Sequence, residues 1–335
     1  MTAKKKDDGP SITTRFKETL DRIWPLNLAS LADSHLSMNT RKAYRADLAH
    51  YLGWGGTLPA TKDMLVNYID EFKEDYSVRT TRRRIVAINE AHTALGLESP
   101  GYTREVKKTL VGVGKQYAEP PKKAKPFMIQ HASLLMRHLD GSPSGIRDKA
   151  LILLGWSGYF RRSELVAITV EKITFHSDRM IIERPRGKTN QENGGKKVPI
   201  PAIGGPACPV AAVKSWLALS GISQGPLFRR VFRGGTVHAE ARSLTGHTVS
   251  LVLKKRCQEA GVDEAELFSG HSLRRGGITQ AYAADENESD IQFISGHQSI
   301  GQLRTYRDEA EALSGHQASM SFLRQLNDEL NQDAD

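Results

Sequence analysis

The chain has 335 residues, a formal net charge of +9, a pI near 9.4 and two cysteines. That length suffices for two domains with separate cores. No window approaches the roughly 20 apolar residues of a membrane span, and the lysines after Met1 lead into no apolar segment, so no secretory signal is expected. Cys208 and Cys257 stand far apart and outside any metal-type spacing, which argues against a disulfide scaffold or a zinc site and for a reducing compartment.

Taken in chain order, residues 1–12 read as a disordered tail, and an irregular helical stretch broken by Pro25 opens a first domain over 13–118. Apolar spacing predicts a helix over Thr40–Trp54, with Tyr44, Leu48 and Leu52 on one face. A second covers Lys62–Tyr76, with Leu65, Tyr68, Ile69 and Phe72 inward and Thr61 as N-cap. A third covers Val78–Leu97 through Ile85, Ile88, His92 and Leu95, closed near Gly96. A fourth covers Tyr102–Tyr117 through Val106, Leu110 and Val113. The result is a compact all-α domain, in which His92 reads as a core histidine. Arg79, Arg82, Arg83 and Arg84, with Thr80 and Thr81 between them, open the third helix. Such a run is usually a solvated face, but cations and hydroxyls at a helix start also suit phosphate. Arg41 and Lys42 join them as DNA-contact candidates.

Glu119–Pro126 is a proline-stiffened linker whose Lys122, Lys123 and Lys125 could track a phosphate backbone. A second domain, 127–310, begins with helical patterns near 129–139 and 146–155. Three short strands follow near 172–175, 180–184 and 196–201, separated by turn-rich pieces. Helices resume near 209–220, 246–260, 272–284 and 289–295. The fold class is therefore mainly α with a small antiparallel β-sheet (α+β). A last apolar stripe, Leu313, Met320, Leu323, Leu326 and Leu330, gives a C-terminal helix over 311–335 that suits contact with another protomer.

Charge follows the same division. Residues 1–125 carry a net +7, residues 126–307 a net +8 and residues 308–335 a net −6. Both domains suit a polyanion and the tail does not. Arg242 and Lys254 are further DNA-contact candidates in the second domain.

The chemistry concentrates in His271-Ser-Leu-Arg274, Gly296-His297 and Tyr306, with Arg161 upstream in Phe160-Arg-Arg-Ser-Glu-Leu165. A phosphodiester repels nucleophiles, so catalysis needs cations on its non-bridging oxygens. Arginine stays charged and can donate to two oxygens at once. Arg161 follows the apolar run Leu151–Phe160, where a charge needs a reason, and Glu164 is placed to orient it. A tyrosine hydroxyl with a pKa near 10 needs a base, which His271 can be. A leaving 5′ oxygen needs a proton, which Lys188, in a loop between the second and third strands, can give. Gly112-Val-Gly114-Lys115 lacks the spacing of a nucleotide loop.

In this order and spacing, the motifs resemble the tyrosine recombinases, the family of phage integrases, Xer proteins and Cre. The resemblance spans about 130–310 by motif and extends more loosely to the first domain, where Thr40-Arg-Lys-Ala-Tyr44 and Ala94-Leu-Gly-Leu97 are Cre-like. It implies a helical core-binding domain and a catalytic domain that form a C-shaped clamp on DNA. It implies that Arg161 and Arg274 bind the scissile phosphate, Lys188 is the general acid, His271 assists proton transfer, His297 hydrogen-bonds the phosphate and Tyr306 attacks to give a 3′-phosphotyrosine. No metal, ATP or other cofactor is expected. The partners it implies are double-stranded DNA with inverted-repeat core sites and a homotetramer on two such sites, with no membrane and with accessory proteins left open. A bacterial or mobile-element origin and a cytoplasmic, nucleoid-associated place follow from it. Box one is one residue longer than the commonest Gly-to-Arg spacing, and Arg162 stands beside Arg161, but Ser163-Glu164-Leu165 favours Arg161. A non-catalytic DNA-binding protein and a type IB topoisomerase or telomere resolvase are the alternatives.

Overall fold

The computed structural model describes residues 16–24, 36–118, 124–185, 195–238 and 242–314. The expected 1–12 tail, Lys122, Lys123, Lys188 and the greater part of the 311–335 helix lie outside the described residues. The chain divides into two compact units, Met1–Lys122 and Lys123–Asp335.

The described part of the first unit is helical: α1 (Lys17–Ile23), α2 (Met38–Trp54), α3 (Lys62–Glu71), α4 (Val78–Ala94) and α5 (Arg104–Tyr117). Hydroxyls set three of the starts. Ser37, Thr61 and Ser77 each accept from the backbone N–H three residues on, all at 3.2 Å. Leu48, Leu65, Ile69, Ile88 and Val106 form the core with Tyr51 and Tyr68, whose rings meet edge to face at 5.3 Å. Helix α3 stops at Glu71, five residues before the apolar spacing ends. The reason is Tyr76. Its ring lies under the Arg84 guanidinium at 3.7 Å and its hydroxyl pairs with His50 Nε2 at 3.1 Å, so the chain turns back towards α2 and α4.

His92 is the core residue its position on the apolar face implies. It is fully buried, Nδ1 donates to Ile88 O at 2.7 Å, and Nε2 accepts the Ala60 N–H at 2.8 Å. His92→Leu fills the space but orphans the buried Ala60 amide. We expect the full chain to lose about 1–3 kcal/mol, read as a lower unfolding midpoint and faster hydrogen exchange at Ala60. An unchanged midpoint would show that this bond is dispensable.

The second unit is built on α7 (Pro143–Ser157), which follows α6 (Ile129–His138). Ala150–Leu154 is buried on every side, which is why this stretch shows no clean amphipathic stripe. A three-stranded antiparallel sheet, β1 (Ile173–Phe175), β2 (Arg179–Glu183) and β3 (Lys197–Pro201), lies in that chain order with Ile173 opposite Ile182 and Ile182 opposite Val198. Met180, Ile182, Val198 and Ile200 are its buried face. Helices α8 (Arg162–Ala167), α9 (Pro209–Ser220), α10 (Gly246–Glu259), α11 (Gly270–Ala283), α12 (Glu288–Ser295) and α13 (Arg304–Ser314) complete the described part. A mainly α fold with a small antiparallel sheet is what the sequence predicts. A separate small core of Tyr159, Ile278, Ala281, Ile291 and Leu303 seats α13 against α11, with Tyr306 packed on it. An Arg275–Glu309 ion pair, with Arg275 Nε 2.9 Å from Glu309 Oε2, ties the same two helices. No described helix is long and apolar enough to cross a membrane.

Candidate active site

Four segments meet here: the α7–α8 turn, the start of α11, the turn after α12 and the start of α13. The first is strained. Tyr159 has φ 49°, in the left-handed region that a bulky side chain rarely occupies. Its carbonyl thereby accepts from Arg274 Nη1 at 2.6 Å. Phe160 is buried and Arg161 is the N-cap of α8. Glu164, 2 % exposed, accepts the Arg161 backbone N–H at 2.9 Å and Arg161 Nη1 at 2.7 Å.

Arg184, which sequence reasoning missed, holds the other side of that carboxylate. Its Nη1 donates to Glu164 Oε2 at 2.6 Å and its Nη2 to Gly158 O at 3.3 Å and to Ile294 O. The signal was available: the alternation that buries Met180 and Ile182 also carries Arg184 inward.

Arg274 lies in the first turns of α11 and is 3 % exposed. Beyond Tyr159 O, its Nη1 donates to Ser295 O at 2.8 Å, and its Nη2 approaches His297. Gly276 and Gly277 make this seat by letting α11 press close. A Cβ at either would collide with the Phe127 or Trp156 carbonyl, respectively. Burial and then the Arg161 charge lower the Arg274 pKa to about 10, so it remains a cation at neutral pH. Two guanidiniums, Arg161 and Arg184, thus pair with one carboxylate, Glu164, and Arg274 adds a third positive charge close enough to feel it. A partly buried surplus of positive charge calls for an anion.

His297 follows Gly296, whose φ of 69° turns the chain back after α12. Burial and then Arg274, Arg161 and Arg184 push its pKa down to about 3, so the ring is neutral. Tyr306 is in the first turn of α13, half-buried, with its ring 5.8 Å from that of His297. Its hydroxyl has no hydrogen-bond partner among the described residues. His271, in the first turn of α11, keeps an exposed edge. The protein around it and then Arg162, Arg274 and Arg161 hold its pKa below the ordinary histidine value. A depressed pKa means that the proton leaves at lower pH. An NMR titration of the free protein should therefore place the His271 midpoint below 6.5. A midpoint at or above that value would show that these cations do not bear on the ring.

Arg161, Arg274, His297 and Tyr306 come together, with His271 within reach of the same arginines. Lys188 belongs to the β2–β3 connection, outside the described residues. The DNA-contact candidates divide. Arg79, Arg82, Lys42 and Arg242 are exposed and Lys254 is half-exposed. Arg83 is half-exposed but forks onto Asp47 at 2.7 and 2.9 Å. Arg41 and Arg84 correct the expectation: both are buried, Arg41 bonding Leu36 O at 3.3 Å and Arg84 stacking on Tyr76, so they serve the core of their unit. Lys125 is paired with Glu264 at 2.8 Å.

A cationic cluster beside a phenol and a neutral imidazole is a set of groups that can bind a phosphodiester and set a nucleophile against it, the equipment of a phosphoryl-transfer enzyme. Comparison with known proteins agrees. The model of the phage integrase family matches residues 129–312. An integrase/recombinase xerD homolog of Selenomonas ruminantium is 35 % identical over 281 residues, covering 81 % of this chain and 82 % of that protein. A tyrosine recombinase XerD of Ralstonia nicotianae is 26 % identical, covering 89 % and 90 %. Among solved structures, a XerH site-specific recombinase on palindromic difH substrate has a TM-score of 0.60 at 15 % identity, over 85 % of this chain and 79 % of that one. A lambda integrase dimer bound to a core site has a TM-score of 0.58 at 15 % identity, over 87 % and 94 %. The chain belongs to the phage integrase family, the tyrosine site-specific recombinases.

Proposed function

We propose that this recombinase cuts and rejoins DNA through Tyr306, with Arg161 and Arg274 on the scissile phosphate. The observation that carries the assignment is a cluster of three guanidiniums, of which Arg161 and Arg184 pair with the one carboxylate and Arg274 does not, beside a tyrosine hydroxyl with no hydrogen-bond partner among the described residues. The Tyr306 oxygen attacks phosphorus and the bond to the 5′ oxygen breaks. His271 takes the phenolic proton and Lys188 gives one to the leaving oxygen. The arginines and His297 hold the non-bridging oxygens as charge builds on them. A 3′-phosphotyrosine and a free 5′ hydroxyl result, and attack by a 5′ hydroxyl from the partner strand reverses the step. The ester conserves the bond energy, so neither ATP nor a metal is required.

The first unit grips the duplex with the exposed Lys42, Arg79 and Arg82, and the 119–126 linker follows the backbone with Lys122 and Lys123. The substrate is duplex DNA with inverted-repeat core sites, and four protomers on two sites exchange strands through a Holliday junction. A lambda integrase tetramer on such a junction shares this fold, with a TM-score of 0.58. The 311–335 segment contacts a neighbouring protomer, and the protein works in the bacterial cytoplasm on the nucleoid.

The test is covalent trapping. The full chain is mixed with nicked suicide duplexes drawn from its genomic neighbourhood, then denatured. A protein–DNA adduct that survives denaturation, with a free 5′ hydroxyl, is expected on one site. Tight binding without any adduct would overturn the catalytic assignment.

A further inference from the structure

Arg184 stands one residue beyond β2, and its backbone N–H still bonds Lys196 O across the sheet at 2.8 Å. Its side chain is 1 % exposed, against 28 % for that of Arg161. The guanidinium meets the Phe160 ring at 4.8 Å, Glu164 Oε2 at 2.6 Å, and the carbonyls of Gly158 and Ile294. No phosphate reaches it unless the core opens. A buried cation that cannot touch substrate needs another reason to be there, because its desolvation is costly.

Glu164 supplies that reason. Its two oxygens aim Arg161: Oε1 accepts from Nη1 at 2.7 Å and Oε2 from the backbone N–H at 2.9 Å. A buried carboxylate this close also opposes the pull of Arg161 on any anion, since the interaction of charges grows as distance and local dielectric fall. Alone, the Arg161–Glu164 pair is formally neutral. Arg184 brings a second cation to Oε2. The three groups then carry one net positive charge, and its accessible end is Arg161.

We propose that Arg184 is a positioning residue whose buried charge offsets Glu164, so that Glu164 aims Arg161 without cancelling the cation that Arg161 offers to the scissile phosphate. The inference rests on the assignment of Arg161 to the phosphate under Proposed function. It adds a residue that acts through Glu164 and touches no substrate atom.

The test is single-turnover cleavage by the full chain on the suicide duplex that traps wild type. Rates are taken at a temperature where circular dichroism shows each variant fully folded. Arg184→Met should slow cleavage about 100- to 1,000-fold, the loss that follows removal of one preorganised donor from a developing oxyanion. Adding Glu164→Gln to Arg184→Met should then speed cleavage at least about ten-fold, within the range of coupling between residues in contact. A residue that merely cross-links three segments gives no such reversal, because the second substitution removes one more tie. A double variant no faster than Arg184→Met overturns the inference. If Arg184→Met does not fold, Arg184→Lys decides, since it keeps the charge and gives up the fork. Its rate should stay close to wild type, and a folded lysine variant slowed about 100-fold or more, the scale of a lost preorganised donor, overturns the inference. Cleavage indifferent to Arg161→Gln overturns instead the phosphate assignment beneath it.

Discussion

Tyr306→Phe is expected to bind its DNA site as tightly as wild type and to form no covalent adduct. The substitution removes one oxygen. The ring stays in the small core of Tyr159, Ile278 and Leu303, and no hydrogen bond among the described residues is lost, so folding should be unaffected. Cleavage should fall by at least about four orders of magnitude, the scale on which losing a nucleophile acts. The other tyrosines of the second unit are poor substitutes. Tyr159 is buried, which pushes its pKa up. Tyr282 donates to Glu288 at 2.8 Å, and its pKa is likewise raised by burial and then by that bond. Gel-shift titration and denaturing electrophoresis on the same suicide duplex separate binding from chemistry. Wild-type adduct yield from the Phe variant would move the nucleophile elsewhere.

Arg274→Lys is the second large effect, and it isolates geometry from charge. The ammonium preserves the cation but offers a compact group in place of a planar fork. Arg274 spends Nη1 on Tyr159 O and Ser295 O and lays Nη2 over His297. A lysine that satisfies either carbonyl still has two N–H bonds, but they radiate from that single nitrogen and cannot cover the positions that the fork's separate nitrogens reach. We expect single-turnover cleavage to fall about 100- to 1,000-fold, the cost of removing one preorganised donor from a developing oxyanion. The stability loss should be smaller than the sum of two charged hydrogen bonds, at about 1.5–3 kcal/mol each, because burying this guanidinium beside Arg161 is itself costly. Cleavage within a few-fold of wild type would show that charge alone suffices and that the fork plays no part.

Much of the fold was legible because its determinants are local. Period-3.6 apolar spacing marks α2 to α5, with Thr61 legible as the cap of α3, and short alternating runs mark the three strands. Where the expectation failed, a distant contact decided. Helix α3 ends early because Tyr76 is drawn to Arg84 and His50, residues eight positions later and 26 earlier. The six-residue α8 was missed because its start is set by the Glu164 carboxylate folding back onto Arg161 rather than by any apolar stripe.

The site divides along the same line. The residue types and their order, two arginines, two histidines and a tyrosine at family spacing, are properties of the sequence alone, as is the basic charge of both halves. Burial and pairing are not. Arg79 and Arg82 stand in the same run as Arg84, yet helical rotation leaves the first two exposed and puts Arg84 in the core. Arg184 looks like one more charge at a strand end until Glu164, twenty residues away in sequence, is found against it. The hydrogen bond between Ser295 and His297 exists only because Gly296 reverses the backbone between them. A sequence specifies which groups can ionise or donate. Which of them lose water, and which partner each meets, depends on chain segments far apart in sequence, and only the tertiary structure decides that.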